Sequence, residues 1–151
     1  MLRPYSLFLI FLFLPILLWS QVPGQGVSLT GDSASLIGLK LSELISRYGP
    51  PLEVYASRGQ ESWQDDVVFV YSEGEFYIHR DRVWQLGLKS AYGISVGDSR
   101  PSVSLSLGEQ AVDRGDYILL PLPSGNWPIM LRVNFSSAGR VSALFVYRPD
   151  F

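Results

Sequence analysis

Two glycine-bounded stretches of equal length limit what this chain can fold into. Ile37-Gly38 is followed eleven residues later by Gly49, and Val96-Gly97 is followed eleven residues later by Gly108. At that offset of 59 residues, Leu44 aligns with Val103 and Tyr48 with Leu107. Further on, Arg82-Val83 aligns with Arg140-Val141 at an offset of 58. A recurrence of this length predicts two copies of one supersecondary unit, over residues 36–91 and 92–151.

Each copy opens on a short helix. Leu41, Leu44, Ile45 and Tyr48 recur at three-and-four spacing, Gly49 suits a helix C-cap, and Pro50-Pro51 cannot continue the helix. In the second copy Asp98 or Ser99 can cap the N-terminus and Pro101 suits the first turn. Its interior alternates serine with Val103, Leu105 and Leu107, a pattern equally compatible with a strand; alignment with the first copy favours a helix. β-Branched and aromatic runs follow, predicting strands at 52–56, 66–71, 75–80, 83–88, 117–120, 129–135 and 141–148. Short turns between them imply antiparallel hairpins, since parallel strands need long crossovers. The expected fold class is α+β: two similar units, each a short helix packed on an antiparallel sheet of about three to four strands.

The N-terminus reads as a targeting segment. Arg3 precedes thirteen residues, 7–19, drawn from Leu, Phe, Ile and Trp with one Pro15. That length suits the apolar core of a signal peptide and falls short of the roughly 20 residues of a spanning helix. Residues 1–20 are therefore expected to be a signal peptide cleaved after Ser20, with Gly24 and Gly26 as other sites. The alternative is an anchor retained through residues 5–19. Residues 21–35 form a polar leader with little to pack. The expected location is periplasmic or extracellular, with membrane contact only if the segment is kept.

Composition excludes several functions. The whole chain carries 12 basic and 14 acidic residues, a net −2. Loss of Arg3 with residues 1–20 leaves 11 against 14, or −3, which argues against a nucleic-acid binder. There is no cysteine and one histidine. Disulfides, thiolate chemistry and multi-histidine metal sites within one chain are thus excluded. No metal or cofactor is expected.

Chemistry-bearing residues are few. His79 alternates onto the side of Tyr77 and can act as a base beside Asp81 or Glu75, but no Gly-x-Ser-x-Gly nucleophile motif accompanies it. Its simpler reading is a surface histidine on a half-exposed strand. Asp65, Asp66, Glu73, Glu75 and Asp81 cluster around one hairpin without a calcium-loop pattern, and solubilising turn charges explain them. No catalytic residue is assigned. Aromatic residues are the better lead, since Tyr, Trp and Arg dominate binding hot spots. Trp63, Tyr77, His79 and Trp127 are candidates for a partner-binding surface if they share an open sheet face and its rim; core filling is the competing role for each. Trp63 and Trp127 adjoin polar or Pro/Gly-rich loops, which favours exposure. Arg80, Arg82, Arg132 and Arg140 lie on or beside the last hairpins, where they can frame an acidic partner, with Arg132 a candidate contact; solvated strand edges are the simpler reading.

The pattern Gly38…Leu44…Tyr48-Gly49-Pro50 with Val83…Leu86, repeated as Gly97…Val103…Leu107-Gly108 with Val141…Leu144, resembles the tandem helix-plus-sheet modules related to the β-lactamase-inhibitor protein. It is also similar to the SmpA/OmlA outer-membrane-assembly lipoproteins. The resemblance spans about residues 36–148. It implies a non-enzymatic, exported protein-interaction module of the bacterial cell envelope, with an unidentified envelope or secreted protein as partner. The lipoprotein cysteine and the inhibitor's disulfides are absent, so neither anchoring nor binding residues carry over. An alternative is a domain that binds a small molecule or peptidoglycan fragment in a cleft between the units. A hydrolase is the third option.

Overall fold

The computed structural model describes residues 33–60 and 65–151 of the 151. The targeting segment, its cleavage sites, most of the leader and Trp63 lie outside the described residues. The described chain begins in a 3-10 turn, Ser33–Leu36, whose first and last residues are buried. Ala34 packs against the core as well. The end of the polar leader is therefore part of the fold rather than a segment with little to pack.

The elements then run α1 (Leu41–Tyr48), β1 (Glu53–Ser57), β2 (Asp66–Val70), β3 (Gly74–His79), β4 (Arg82–Leu88), β5 (Ser90–Ala91) and β6 (Ile94–Ser95). After these come α2 (Arg100–Leu107), β7 (Val112–Asp113), β8 (Tyr117–Leu122), β9 (Ile129–Phe135) and β10 (Val141–Tyr147). The fold is α+β: two helices and one large antiparallel sheet. The helix starts obey local chemistry. The Lys40 backbone N–H donates to the Glu43 carboxylate at 2.8 Å. In α2 the Ser99 hydroxyl accepts from the Ser102 N–H at 3.4 Å, and Pro101 occupies the first turn. Asp98, the other candidate cap, instead accepts the Ser95 N–H at 2.8 Å. The serine-rich segment 100–107 is thus helical, as its alignment with residues 41–48 suggests.

The strand order is β1-β2-β3-β4-β10-β9-β8-β7. Strands of 36–91 and of 92–151 join in one continuous sheet, because β4 pairs with β10 from Leu88↔Leu144 to Gln85↔Tyr147. Two small elements carry no signal in the sequence: the edge strand β7 and the two-residue hairpin β5-β6, which straddles residues 91 and 92. Several contacts recur at the same offsets of 59 and 58 residues. The Gly38 N–H donates to the Val83 carbonyl at 2.8 Å, and the Gly97 N–H to the Val141 carbonyl at 2.9 Å. Lys40 bridges to Arg82, and Ser99 to Arg140. The Arg82 guanidinium donates to the Gly38 carbonyl at 2.8 Å, and that of Arg140 to the Gly97 carbonyl at 3.2 Å.

Strand alternation sorts the sheet into two faces. Phe69, Phe76, Leu86, Val146 and Leu131 stand directly across from one another on successive strands. All are buried and join the main core with Leu44 of α1 and Val103 of α2. Both helices therefore cover this face. Apolar burial beneath them is the main source of stability.

Candidate functional site

The opposite face carries two full cross-strand rows with no helix over them. One row runs Tyr55, Val68, Tyr77, Gln85, Tyr147, Met130, Pro121. The next runs Glu53, Val70, Glu75, Gly87, Phe145, Arg132, Leu119, Val112. Apart from fully buried Val68, most positions are half-buried or exposed. Gly87 leaves a gap in the row that the Phe145 ring approaches, to 3.6 Å from where a Cβ would stand.

Polar groups on this face are held in place. The Tyr77 hydroxyl donates to Glu75 Oε2 at 3.0 Å. Burial first, then the Glu75 carboxylate, pushes the Tyr77 hydroxyl well above its usual range, so it stays a donor at any physiological pH. The Arg132 guanidinium lies 4.0 Å over the Tyr117 ring and donates from Nε to Asn134 Oδ1 at 2.8 Å. Gln85, Arg132, Asn134, Phe145 and Tyr147 line a depression of about 270 Å³. Tyr77 on β3 and Arg132 on β9 stand three strand spacings apart, roughly 14 Å.

His79 ends β3 on the Tyr77 side, as alternation predicts, but its partner is not Asp81 or Glu75. Its Nδ1 faces Asp66 Oδ1 at 3.5 Å across the strand pair, and only a fifth of its side chain is exposed. Nor is Asp66 a solubilising turn charge: it is buried. Desolvation raises the Asp66 pKa, opposed by the Trp84 indole N–H and by His79. Register makes this possible only after β2 and β3 pair, which is why spacing in the sequence missed it.

Trp84 is not among the candidates that the sequence singles out. Tyr77 pairs with Gln85 while Ile78 pairs with Val83, so Trp84 is the extra residue of a β-bulge. A bulge re-aims a side chain. Trp84 stacks on Phe151, with centroids 5.7 Å apart and planes at 12°. His79 meets the same Phe151 ring edge-on at 5.2 Å. Asp66, His79, Arg80, Trp84, Arg148, Asp150 and Phe151 together line a cleft of about 570 Å³. The Trp84 Nε1–H is buried and has no partner at hydrogen-bonding geometry among the described residues. The lining holds a carboxylate–imidazole pair but, among the described residues, no serine, threonine or cysteine for it to activate.

Trp127 does not share the open face. It packs against the core, and its Cζ2 lies 3.1 Å from where a Gly38 Cβ would stand. The Arg148 guanidinium covers it at 4.4 Å. The apolar pull of the helix-side core overrides the exposure that its Pro/Gly-rich loop suggests. The open face thus joins Tyr77, His79 and Arg132 and leaves Trp127 out. Arg82 and Arg140 are engaged by backbone carbonyls and so brace the fold.

No helix among the described residues is long and apolar enough to cross a membrane. No protein-family model matches the chain, and no curated protein matches it. Among solved structures, an extracellular protein containing an SCP domain from Bacillus anthracis str. Ames aligns with a TM-score of 0.49 at 12% identity. That alignment covers 78% of this chain and 45% of the other, so the chain spans less than half the length of that protein.

Proposed function

We propose that this protein is an exported, non-enzymatic interaction module of the bacterial cell envelope, built from two copies of a helix-plus-sheet unit. The recurrence of the Gly38–Val83 and Arg82–Gly38 contacts as Gly97–Val141 and Arg140–Gly97 supports the duplication. The apolar segment 7–19 supports export. The observation that carries the interaction reading is the open sheet face, which no helix covers and which carries Tyr55, Tyr77, Tyr147, Phe145 and Tyr117 together with Arg132. Aromatic side chains lose little entropy on docking, and arginine can fork onto a carboxylate. The partner is an envelope or secreted protein that presents an apolar surface with acidic groups.

Affinity capture from an envelope fraction tests this, with the unsubstituted protein beside Tyr77→Ala and Arg132→Ala. A stoichiometric partner held by the first and lost by the other two, with folding unchanged, is the expected result. Capture unaffected by both substitutions sinks the reading.

A second reading has its own observation. The cleft beside Trp84 joins residues of both copies and has the concavity and aromatic wall suited to a small ligand such as a peptidoglycan fragment.

A further inference from the structure

The cleft beside Trp84 is already partly filled by the chain itself, and the occupant defines a chemistry. Phe151 lies parallel to Trp84, meets His79 edge-on, and has the Arg148 guanidinium 5.3 Å from its centroid. The preceding residue, Asp150, accepts both Arg148 Nε–H at 3.0 Å and Nη2–H at 2.8 Å. Three side chains thus grip an aromatic ring, and a planar fork grips the carboxylate one residue before it. Arg148 is itself fixed from behind by the Trp127 ring at 4.4 Å, and its backbone N–H donates to the Trp84 carbonyl at 3.1 Å. The receptor half thus has contacts of its own besides those to the occupant. The occupant half is not sealed: the Phe151 residue is 52% exposed.

We infer that this cleft is a docking site for a short acidic–aromatic segment of a partner protein, a carboxylate residue followed by an aromatic one, and that Asp150-Phe151 masks it until the partner arrives. This rests on reading the protein as an interaction module. The charges lining the cleft are Asp66, His79, Arg80, Arg148 and Asp150. Asp66 faces His79. When Asp150 leaves, Arg148 and Arg80 are left to receive an incoming carboxylate. A tethered segment competes at an effective concentration on the order of millimolar, so the masked site binds free peptide weakly.

The test uses the purified protein and the peptide acetyl-Pro-Asp-Phe-amide, followed by calorimetry and by the Trp84 indole N–H resonance. The expected result is that Phe151→Ala binds the peptide about tenfold tighter than the unsubstituted protein, because the aromatic half of its own competitor is gone. Acetyl-Pro-Asn-Ala-amide is expected to shift nothing. Adding Trp84→Ala to Phe151→Ala abolishes binding. If that double variant does not fold, Arg148→Lys in the same background gives the same answer: it keeps the charge, loses the fork and weakens binding about tenfold. Phe151→Ala binding no more tightly than the unsubstituted protein overturns the proposal. So does equal binding of the Asn-Ala peptide, or a Trp84 shift produced by N-acetylglucosamine and not by the Asp-Phe peptide. Capture of a partner through Tyr77 and Arg132 does not involve this cleft, so failure here leaves that reading standing.

Discussion

The Arg82 guanidinium donates to the Gly38 carbonyl oxygen at 2.8 Å, tying the start of β4 to the loop before α1. Gly38 also donates its own N–H to Val83, next to Arg82. The loop is thus stitched to the strand on both sides, and the Arg140–Gly97 contact does the same in the second half at 3.2 Å. These contacts set where each helix begins relative to the sheet below it.

Removing either arginine leaves a carbonyl that water can still reach, so the loss is modest. Arg82→Ala and Arg140→Ala are each expected to lower unfolding stability by about 1 kcal/mol, with the shorter Arg82 contact costing more. Urea titration reads this directly. Identical midpoints for Arg82→Ala and the unsubstituted protein would remove these contacts from the account of stability.

Gly38 and Gly97 hold nearly the same backbone, φ +92° and +96°, in different surroundings. A Cβ on Gly97 meets open space, while one on Gly38 presses on the Trp127 ring. Gly97→Ala is expected to cost about 1 kcal/mol from backbone strain alone. Gly38→Ala should cost about 1–2 kcal/mol more, from overpacking. In a Trp127→Ala background that excess should vanish, and its persistence would show that the Trp127 contact is not its source.

The two helices offer a contrast between buried and exposed positions. Leu44 and Val103 sit at equivalent places and are fully buried, whereas Leu105 is 85% exposed. Leu44→Ala is expected to cost roughly 2–5 kcal/mol and Val103→Ala somewhat less, since fewer methyl groups are removed. Leu105→Ala should stay within about 0.5 kcal/mol of the parent. Denaturation midpoints in that order check the register of α2, and a large loss at Leu105 would mean that its face is covered.

Asp66 gives the cleft a pH dependence. Burial raises its pKa in the folded state, so between the ordinary carboxylate range and the raised value the folded protein holds more protons than the unfolded chain. Stability from this group is therefore greatest below the unfolded pKa of about 3.8 and falls as pH rises through the folded pKa. In Asp66→Asn this component disappears. The stability of the variant relative to the parent should rise as pH climbs from acid toward neutrality. A difference that stays constant over that range would sink the assignment.

Local chemistry was legible without a structure. The helix at 41–48 announces itself by apolar spacing and a glycine–proline stop, and seven strands by their β-branched and aromatic runs. Even the serine-rich α2 could be placed by its alignment with α1. These are short-range properties, set by which residues lie three, four or two positions apart. Tyr77 and His79 share a face for the same reason, a period of two along one strand.

Only the tertiary structure decided what meets across strands. The pairing of β4 with β10 makes one sheet of eight strands, and it brings Phe145 and Arg132 beside Gly87 and Glu75 from the other half. The bulge that turns Trp84 into the cleft depends on a one-residue shift between β3 and β4, which no single strand encodes. Asp66 reads as a turn charge because it clusters in sequence with other carboxylates around one hairpin; in space it is buried against His79, thirteen residues on. The Pro/Gly-rich loop beside Trp127 favours exposure over core filling, yet apolar burial draws the ring under Arg148 and against the backbone of Gly38. Sequence periodicity determines secondary structure and which side chains share a face. Which faces are covered, and which charges are desolvated, depends on long-range packing, where the hydrophobic driving force has no sequence separation of its own.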